Sequence, residues 1–435
     1  MHFGKRRQIV STQEAALRPA GRPFLLLIRA VLNRKGGHAT RRTTTTIRAF
    51  YLATGIAGGI YLPYLTIVLG RDHVTPGQIG GVLSFGILVA ILAQPLWGAF
   101  VDRYRKVRLT LFLTALAPGI VALLYNIPSL WVIAFAAALF NLFAAPQAPI
   151  SDSYAVDHAR RAGASYGSIR LFGSIGWALG AYAGGLFLAR FAPHWLWIPF
   201  LTVSALTALT ALTFPGRPDT LRVRRGLFNG VGEVLRDRRF GVFLLGGFLA
   251  SQTLAAFNSF FVVAFRDVGG PISETGMAFL LASLSNVPPM LFASRLINRV
   301  GPERTMLWAT GTYVIRWGLM VAFPVPPVYI GAQLLHGLSF GLYYVAAVHY
   351  VSHLFPQDLQ ATGQSIFGMV VGGLAGIFGN LVNGYLLEWG GASAMFLSCV
   401  VSTALAAACF YFIVRKPEWH LKTRPASLTV DHRGS

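Results

Sequence analysis

Apolar runs of bilayer length follow one another along nearly the whole chain, each closed by a short polar stretch. A helix needs about 20 mostly apolar residues to cross a hydrocarbon core. The pattern predicts twelve such helices, at 47–70, 77–101, 108–126, 129–155, 166–189, 194–214, 240–265, 273–297, 304–323, 327–355, 362–387 and 392–414. Prolines and glycines inside several of them are tolerable, because neighbouring helices satisfy the backbone groups they free. The stretch 215–239 separates six helices from six, so the expected fold is an all-α membrane protein in two six-helix bundles.

Two landmarks suggest that the halves repeat one another. WGAFVDRYRKVRLTLF at 97–112 matches the placement of ASRLINRVGPERTMLW at 293–308, and Gly173 in LFGS matches Gly368 in IFGM at nearly the same offset. Repeat interfaces near the midplane are where transporters bind solutes. Gly176, Gly180 and Gly184 in the fifth helix, and Gly368, Gly372 and Gly376 in the eleventh, recur at a spacing that lets helices approach closely.

Composition supports the membrane reading, with 54% hydrophobic and 12% charged residues, and excludes a soluble globular domain. The net charge of +22 raises a nucleic-acid hypothesis, but its distribution argues for topology control and contact with anionic lipids. One set of loops holds Arg103, Arg105, Lys106 and Arg108, then Arg160 and Arg161, the run from Arg217 to Arg239, and Arg299 and Arg304. The opposite set holds only Arg71, Arg190 and Arg266. By the positive-inside rule both termini and the central loop are cytoplasmic, in a multi-pass plasma-membrane protein. The organisation expected is a basic cytoplasmic arm at 1–46, bundles at 47–214 and 240–414 around a cytoplasmic linker at 215–239, and a cytoplasmic tail at 415–435. The arm carries a short apolar run, PFLLLIRAVL, that is too short to span and lacks a signal-peptide cleavage pattern.

Asp152 and Arg170 are the sharpest chemical signal. Both lie in apolar segments on either side of the turn DHARRAGAS, and antiparallel helices would bring them to one depth. An unpaired charge there costs roughly 3 kcal/mol or more, so a partnership and a functional role are expected. Arg316 has no acid in its own segment and needs backbone carbonyls, water, Asp152 or an anionic solute. His336, mid-helix, is either a satisfied core donor or a group able to exchange protons near neutral pH. His349 and His353 stand one turn apart but do not make a metal site by themselves. Tyr61, Tyr64, Trp97, Tyr343 and Tyr344 are candidate cavity aromatics, and Asn141, Gln147, Gln252, Asn258, Asn286, Gln333 and Asn380 candidate cavity polar groups. Cys399 and Cys409 lie about 15 Å apart along one helix and cannot bridge. There is no Walker loop, nucleophile elbow or zinc spacing, and no cofactor or enzymatic activity is expected.

GAFVDRYRKVR between the second and third helices resembles the loop signature of the major facilitator superfamily, with Arg105 where a glycine is usual. In that reading Asp102, Arg103 and Lys106 form a conformational latch. QPLWGAFVD, APISDSYAVDHARR, YGSIRLFGSIGWALG, ASRLINRVG, VIRWGLM and LLHGLSFGLYYVAAVHYV resemble the branch containing lactose permease and the phenylpropionate permeases. The resemblance makes Asp152 and Arg170 an essential charge pair, Trp177 an aromatic platform for the solute, and Arg316 and His336 members of a proton-coupling network. It implies substrate binding by Arg170, Asp152, Trp177 and Arg316, with Asp152 and His336 as proton-coupling candidates. Ser339 and Ser283 stand where lactose permease has carboxylates, which weakens a galactoside assignment.

The expected function is secondary transport of a small-molecule substrate by a monomer. Proton symport of an aromatic or short carboxylate stands ahead of a saccharide or nucleoside. Proton-antiport efflux of drug-like solutes and a non-transporting membrane sensor remain open alternatives.

Overall fold

The computed structural model describes residues 38–70, 74–104, 106–162, 165–214, 230–357 and 359–419. Ten helical stretches among them are long and apolar enough to cross a membrane. They are α1 (Arg42–Leu69), α2 (Pro76–Val101), α3 (Val107–Asn126), α4 (Leu130–Ala162), α5 (Tyr166–Leu188), α6 (Pro193–Leu212), α7 (Arg238–Asn258), α8 (Ile272–Val300), α10 (Pro326–Leu354) and the continuous stretch Gln360–Arg415. That last stretch is two helices, α11 (360–389) and α12 (392–415), because the backbone leaves helical geometry at Gly390 and Gly391, where φ at Gly391 is 66°. The remaining helix, α9 (Pro302–Ala322), is 21 residues long and is less apolar because it carries Glu303, Arg304 and Arg316. The result is the predicted all-α bundle of twelve.

Several boundaries differ from expectation. The first helix begins at His38, nine residues before 47, so the end of the presumed arm is ordered helix. Its polar turns have partners there: Thr44 Oγ1 lies 2.9 Å from His158 Nε2 on α4, and Arg48 Nη2 donates to Ser168 Oγ on α5 at 3.3 Å. Residues 1–37, with the apolar run of the arm, lie outside those described, as do 215–229 of the linker and 420–435 of the tail. The rest of the linker contains a short helix, Val231–Arg236. Asp237 then caps α7, its carboxylate accepting from the Arg239 N–H at 2.8 Å. The repeat is visible in the register, since α3 starts at Val107 and α9 at Pro302, an offset of 195.

Glycines set the closest helix contacts. A Cβ on Gly55 would overlap the Gly173 carbonyl, one on Gly59 the Trp177 carbonyl, and those on Gly176 and Gly180 the Leu52 and Ile56 carbonyls. The fifth-helix stripe therefore locks α5 onto α1. The eleventh-helix stripe behaves differently: Gly368 and Gly372 face open space, and Gly379 makes the tight approach instead, to the Gln252 carbonyl of α7.

The two halves touch each other mainly at the end away from the arginine-rich loops. Gly185 of α5 meets Gly276 of α8, and Gly80 of α2 meets Gly384 of α11. Toward the arginine-rich end the same helices separate. Gly98, Gly368 and Gly372 have nothing within 4 Å, and Leu96, Phe292 and Met369 are exposed.

Candidate functional site

Between the halves lies a cavity of about 800 Å³, within the usual size range for small-molecule sites. Its wall is mostly aromatic and aliphatic, including Tyr51 and Gly58 of α1, Trp177 of α5, Phe257 of α7 and Phe279 of α8. Polar groups interrupt it, among them Asn141, Gln147, Arg170, Asn258, Ser283, Asn286, His336 and Asn380, together with several serine and threonine hydroxyls such as Ser174.

On the first-half wall, Arg170 and Trp177 both face the cavity, as seven residues of helix predict. The Trp177 ring lies over Gly58, where an added Cβ would come within 2.9 Å of it. Asp152 does not line the cavity. Among the described residues no ion pair joins it to Arg170, contrary to expectation. Tyr51 stands between them: its hydroxyl donates to Asp152 Oδ1 at 2.5 Å, and the Arg170 guanidinium carbon sits 5.8 Å from its ring centroid. Tyr166, at the start of α5, is a second tyrosine beside the Asp152 carboxylate. The helices do bring the two charges to one level, but a neighbouring aromatic from α1 takes the carboxylate. Sequence reasoning missed Tyr51 and Tyr166, which carry no signal beyond being aromatic near a helix end.

On the second-half wall, Arg316 is 0% exposed and does not reach the cavity, which corrects its assignment as a substrate contact in this conformation. It donates from Nη1 to His336 Nδ1 at 2.8 Å and from Nη2 to Gln333 Oε1 at 2.5 Å. Its guanidinium carbon lies 4.8 Å from the Phe257 ring centroid and 4.5 Å from that of Trp317. A cation taken from water needs such compensation, and the two π faces and two acceptors supply it without a carboxylate. An arginine only donates, so His336 Nδ1 accepts and its proton sits on Nε2. His336 thus lines the cavity as a neutral ring with one N–H to offer. The backbone helps to place it, since a π-helical turn, Gly337–Gly341, follows directly and Gly337 packs against the Ser285 carbonyl.

The carboxamides complete the wall. Asn286 Nδ2 donates to Ala282 O at 3.2 Å and Asn380 Nδ2 to Gly376 O at 3.0 Å. These bonds to their own helices leave each Oδ1 as a buried acceptor with no protein donor. Gln333 and Gln252 are not on the wall, and Gln333 serves Arg316 instead. None of Tyr61, Tyr64, Trp97, Tyr343 and Tyr344 lines the cavity. Tyr61 stacks on Phe200 at 4.4 Å, and Trp97 Nε1 donates to Leu142 O at 2.8 Å.

Of the loop residues, Arg103 and Lys106 are exposed at the arginine-rich end, while the Asp102 side chain lies outside those described. The His349 and His353 rings stack at 4.1 Å, and among the described residues no group of three potential metal ligands occurs.

Among the described residues, twelve long helices in two halves around a central, mostly apolar cavity define a major facilitator transporter. The chain belongs to the MFS_1 like family, whose model matches residues 45–398. It is 31% identical over 390 residues to the maltose permease of Geobacillus stearothermophilus, covering 88% of this chain and 97% of that one. It is 26% identical over 390 residues to the uncharacterized transporter YwbF of Bacillus subtilis, covering 89% and 97%. Among solved structures, the nucleoside transporter NupG superposes with a TM-score of 0.75 at 16% identity, covering 86% of this chain and 98% of NupG.

Proposed function

We propose that this transporter carries a neutral, polyhydroxylated solute of mono- to disaccharide size, taking it up together with protons. The observation that carries the reading is the mixture of donors and acceptors on the cavity wall. Arg170 and the His336 Nε2–H only donate, whereas the wall amides Asn141, Gln147 and Asn258 and the hydroxyls of Ser174 and Ser283 bring acceptors as well. A carboxylate ligand, being acceptor-only, would match only the donors, whereas hydroxyl groups both donate and accept. Trp177 offers a flat face for the apolar side of a sugar ring. Similarity to a maltose permease supports the same class. The saccharide therefore moves ahead of the aromatic carboxylate favoured by the sequence resemblance.

In the same reading the arginine-rich loops are cytoplasmic, the cavity opens inward, and Asp152 takes the coupled proton. Loading would release Tyr51 and let the carrier reorient with its solute. Asp102, Arg103 and Lys106 would steady the opposite state, in which the arginine-rich end is closed.

The test is external pH in a lightly buffered suspension of de-energised cells expressing the chain, with disaccharides, monosaccharides, nucleosides and phenylpropionate added singly. The expected result is alkalinisation by a sugar and none in Asp152→Asn. A response to phenylpropionate alone would overturn the substrate class. Labelled-sugar uptake without a pH change would overturn the coupling.

A further inference from the structure

The N-terminal end of α2 shows a hydrogen-bond arrangement that its own sequence leaves incomplete. A helix begins with backbone N–H groups that have no partner inside the helix, and each must be satisfied elsewhere. At α2, Pro76 has no N–H to satisfy. The Gln78 N–H donates to Thr75 Oγ1 at 3.3 Å, and the Thr75 N–H donates to Gln78 Oε1 at 3.1 Å, a reciprocal capping box. The Ile79 N–H reaches Thr75 O at 2.9 Å. Gly77 is left over. Its N–H donates at 2.9 Å to Glu388 Oε2, a residue of α11 in the other half of the molecule.

The contact belongs to a continuous stripe. On α11, Asn380, Gly384 and Glu388 fall four residues apart and share a face. On α2, Gly77, Gly80 and Ser84, three and then four residues apart, share a face as well. Gly80 packs against Gly384 and the Asn380 carbonyl, and Ser84 Oγ donates to Ile377 O at 2.7 Å. The stripe starts at the cavity wall, at Asn380, and ends at the carboxylate. The missing side chain at Gly77 permits the approach, since a Cβ there would stand 2.6 Å from Glu388 Oε2 and 2.7 Å from the Tyr385 ring and would push the carboxylate aside.

We propose that Glu388 is a gate latch: its carboxylate completes the cap of α2 across the two halves and holds the cavity shut at the end away from the arginine-rich loops. The contact is a charge-assisted bond set at the positive end of a long helix dipole, so it favours the closed gate twice over. When the halves part at this end, the bond breaks and the advantage is lost. The latch depends on the chain being a transporter of this fold and not on the identity of its solute or its coupling ion.

The test uses the purified full chain in detergent micelles with Cys399→Ala and Cys409→Ala, and a reporter Ser84→Cys, at a position 5% exposed within the stripe. Its labelling rate with a maleimide reads how often α2 and α11 separate. Glu388→Ala and Gly77→Ala are each expected to raise the rate about tenfold, equivalent to about 1.4 kcal/mol. Glu388→Gln, which keeps an acceptor but loses the charge, is expected to fall between. A second reporter, Thr403→Cys, at a position 0% exposed inside the second half, stays protected if the fold is intact. Rates within twofold of the parent in both alanine variants would overturn the latch. Should Glu388→Ala label at both reporters, it is unfolded, and Gly77→Ala, a change of one methyl group, then decides.

Discussion

Replacing Arg316 by methionine separates what this buried cation does for the fold from what it does for the site. Methionine keeps the length and apolar stem but removes two bonds, 2.8 Å to His336 Nδ1 and 2.5 Å to Gln333 Oε1. Each acceptor left buried without a donor costs about 1–3 kcal/mol. Against that, a fully buried charge no longer has to be kept out of water, a penalty of several kcal/mol in its own right. The two largely offset, and methionine still fills the space between Phe257 and Trp317. Folding stability should therefore move by about 2 kcal/mol or less, read as a melting temperature in detergent. His336 is another matter. Without a donor at Nδ1, its proton is free to sit on either nitrogen and the N–H facing the cavity is no longer assured. Losing a hydrogen bond between a neutral ring and a neutral solute is worth about 0.5–1.5 kcal/mol, or roughly 2- to 12-fold in solute affinity. The assay is solute binding to purified protein beside the melting curve. Affinity within twofold of wild type, in a protein that melts normally, would refute the claim that Arg316 acts by fixing His336.

Tyr51→Phe removes the hydroxyl that holds Asp152 at 2.5 Å; uptake should fall about 10-fold or more with normal folded yield, and unchanged uptake would deny the tyrosine a role. Two adjacent glycines should behave oppositely. Gly59→Ala drives a methyl into the Trp177 carbonyl and should cost about 1–3 kcal/mol of stability, whereas Gly58→Ala meets only the Trp177 ring and should alter binding with little change in melting temperature. Asp237→Ala removes the α7 cap and should cost about 1 kcal/mol. Burial works against the Asp237 carboxylate, but its bonds to Arg239 outweigh that and leave its pKa below the usual carboxylate value. Its contribution is thus complete above the ordinary aspartate range and disappears as pH falls through the lowered pKa, which melting curves at several pH values in wild type and variant would show.

Twelve spans could be read from the chain because a helix in lipid must satisfy its own backbone and match the membrane thickness, and both demands act on contiguous residues. The repeat, the alternation of basic loops and the glycine stripe of α5 were legible for the same reason. Even Arg170 and Trp177 could be placed on one face, since they sit on a single helix. Local pattern failed at the start of α1, where polar turns are helical only because Thr44 and Arg48 find partners on α4 and α5. It failed again wherever two helices had to be rotated and set against each other. That rotation is decided by packing, through contacts such as Gly59 on Trp177 and Gly337 on Ser285. It places Tyr51 between Asp152 and Arg170, and it turns Arg316 away from the cavity toward His336. It also brings Glu388 to Gly77 across 311 residues of chain. No spacing along the sequence encodes an azimuth between separate helices, so the spans were determined by the sequence alone and the pairings by tertiary structure.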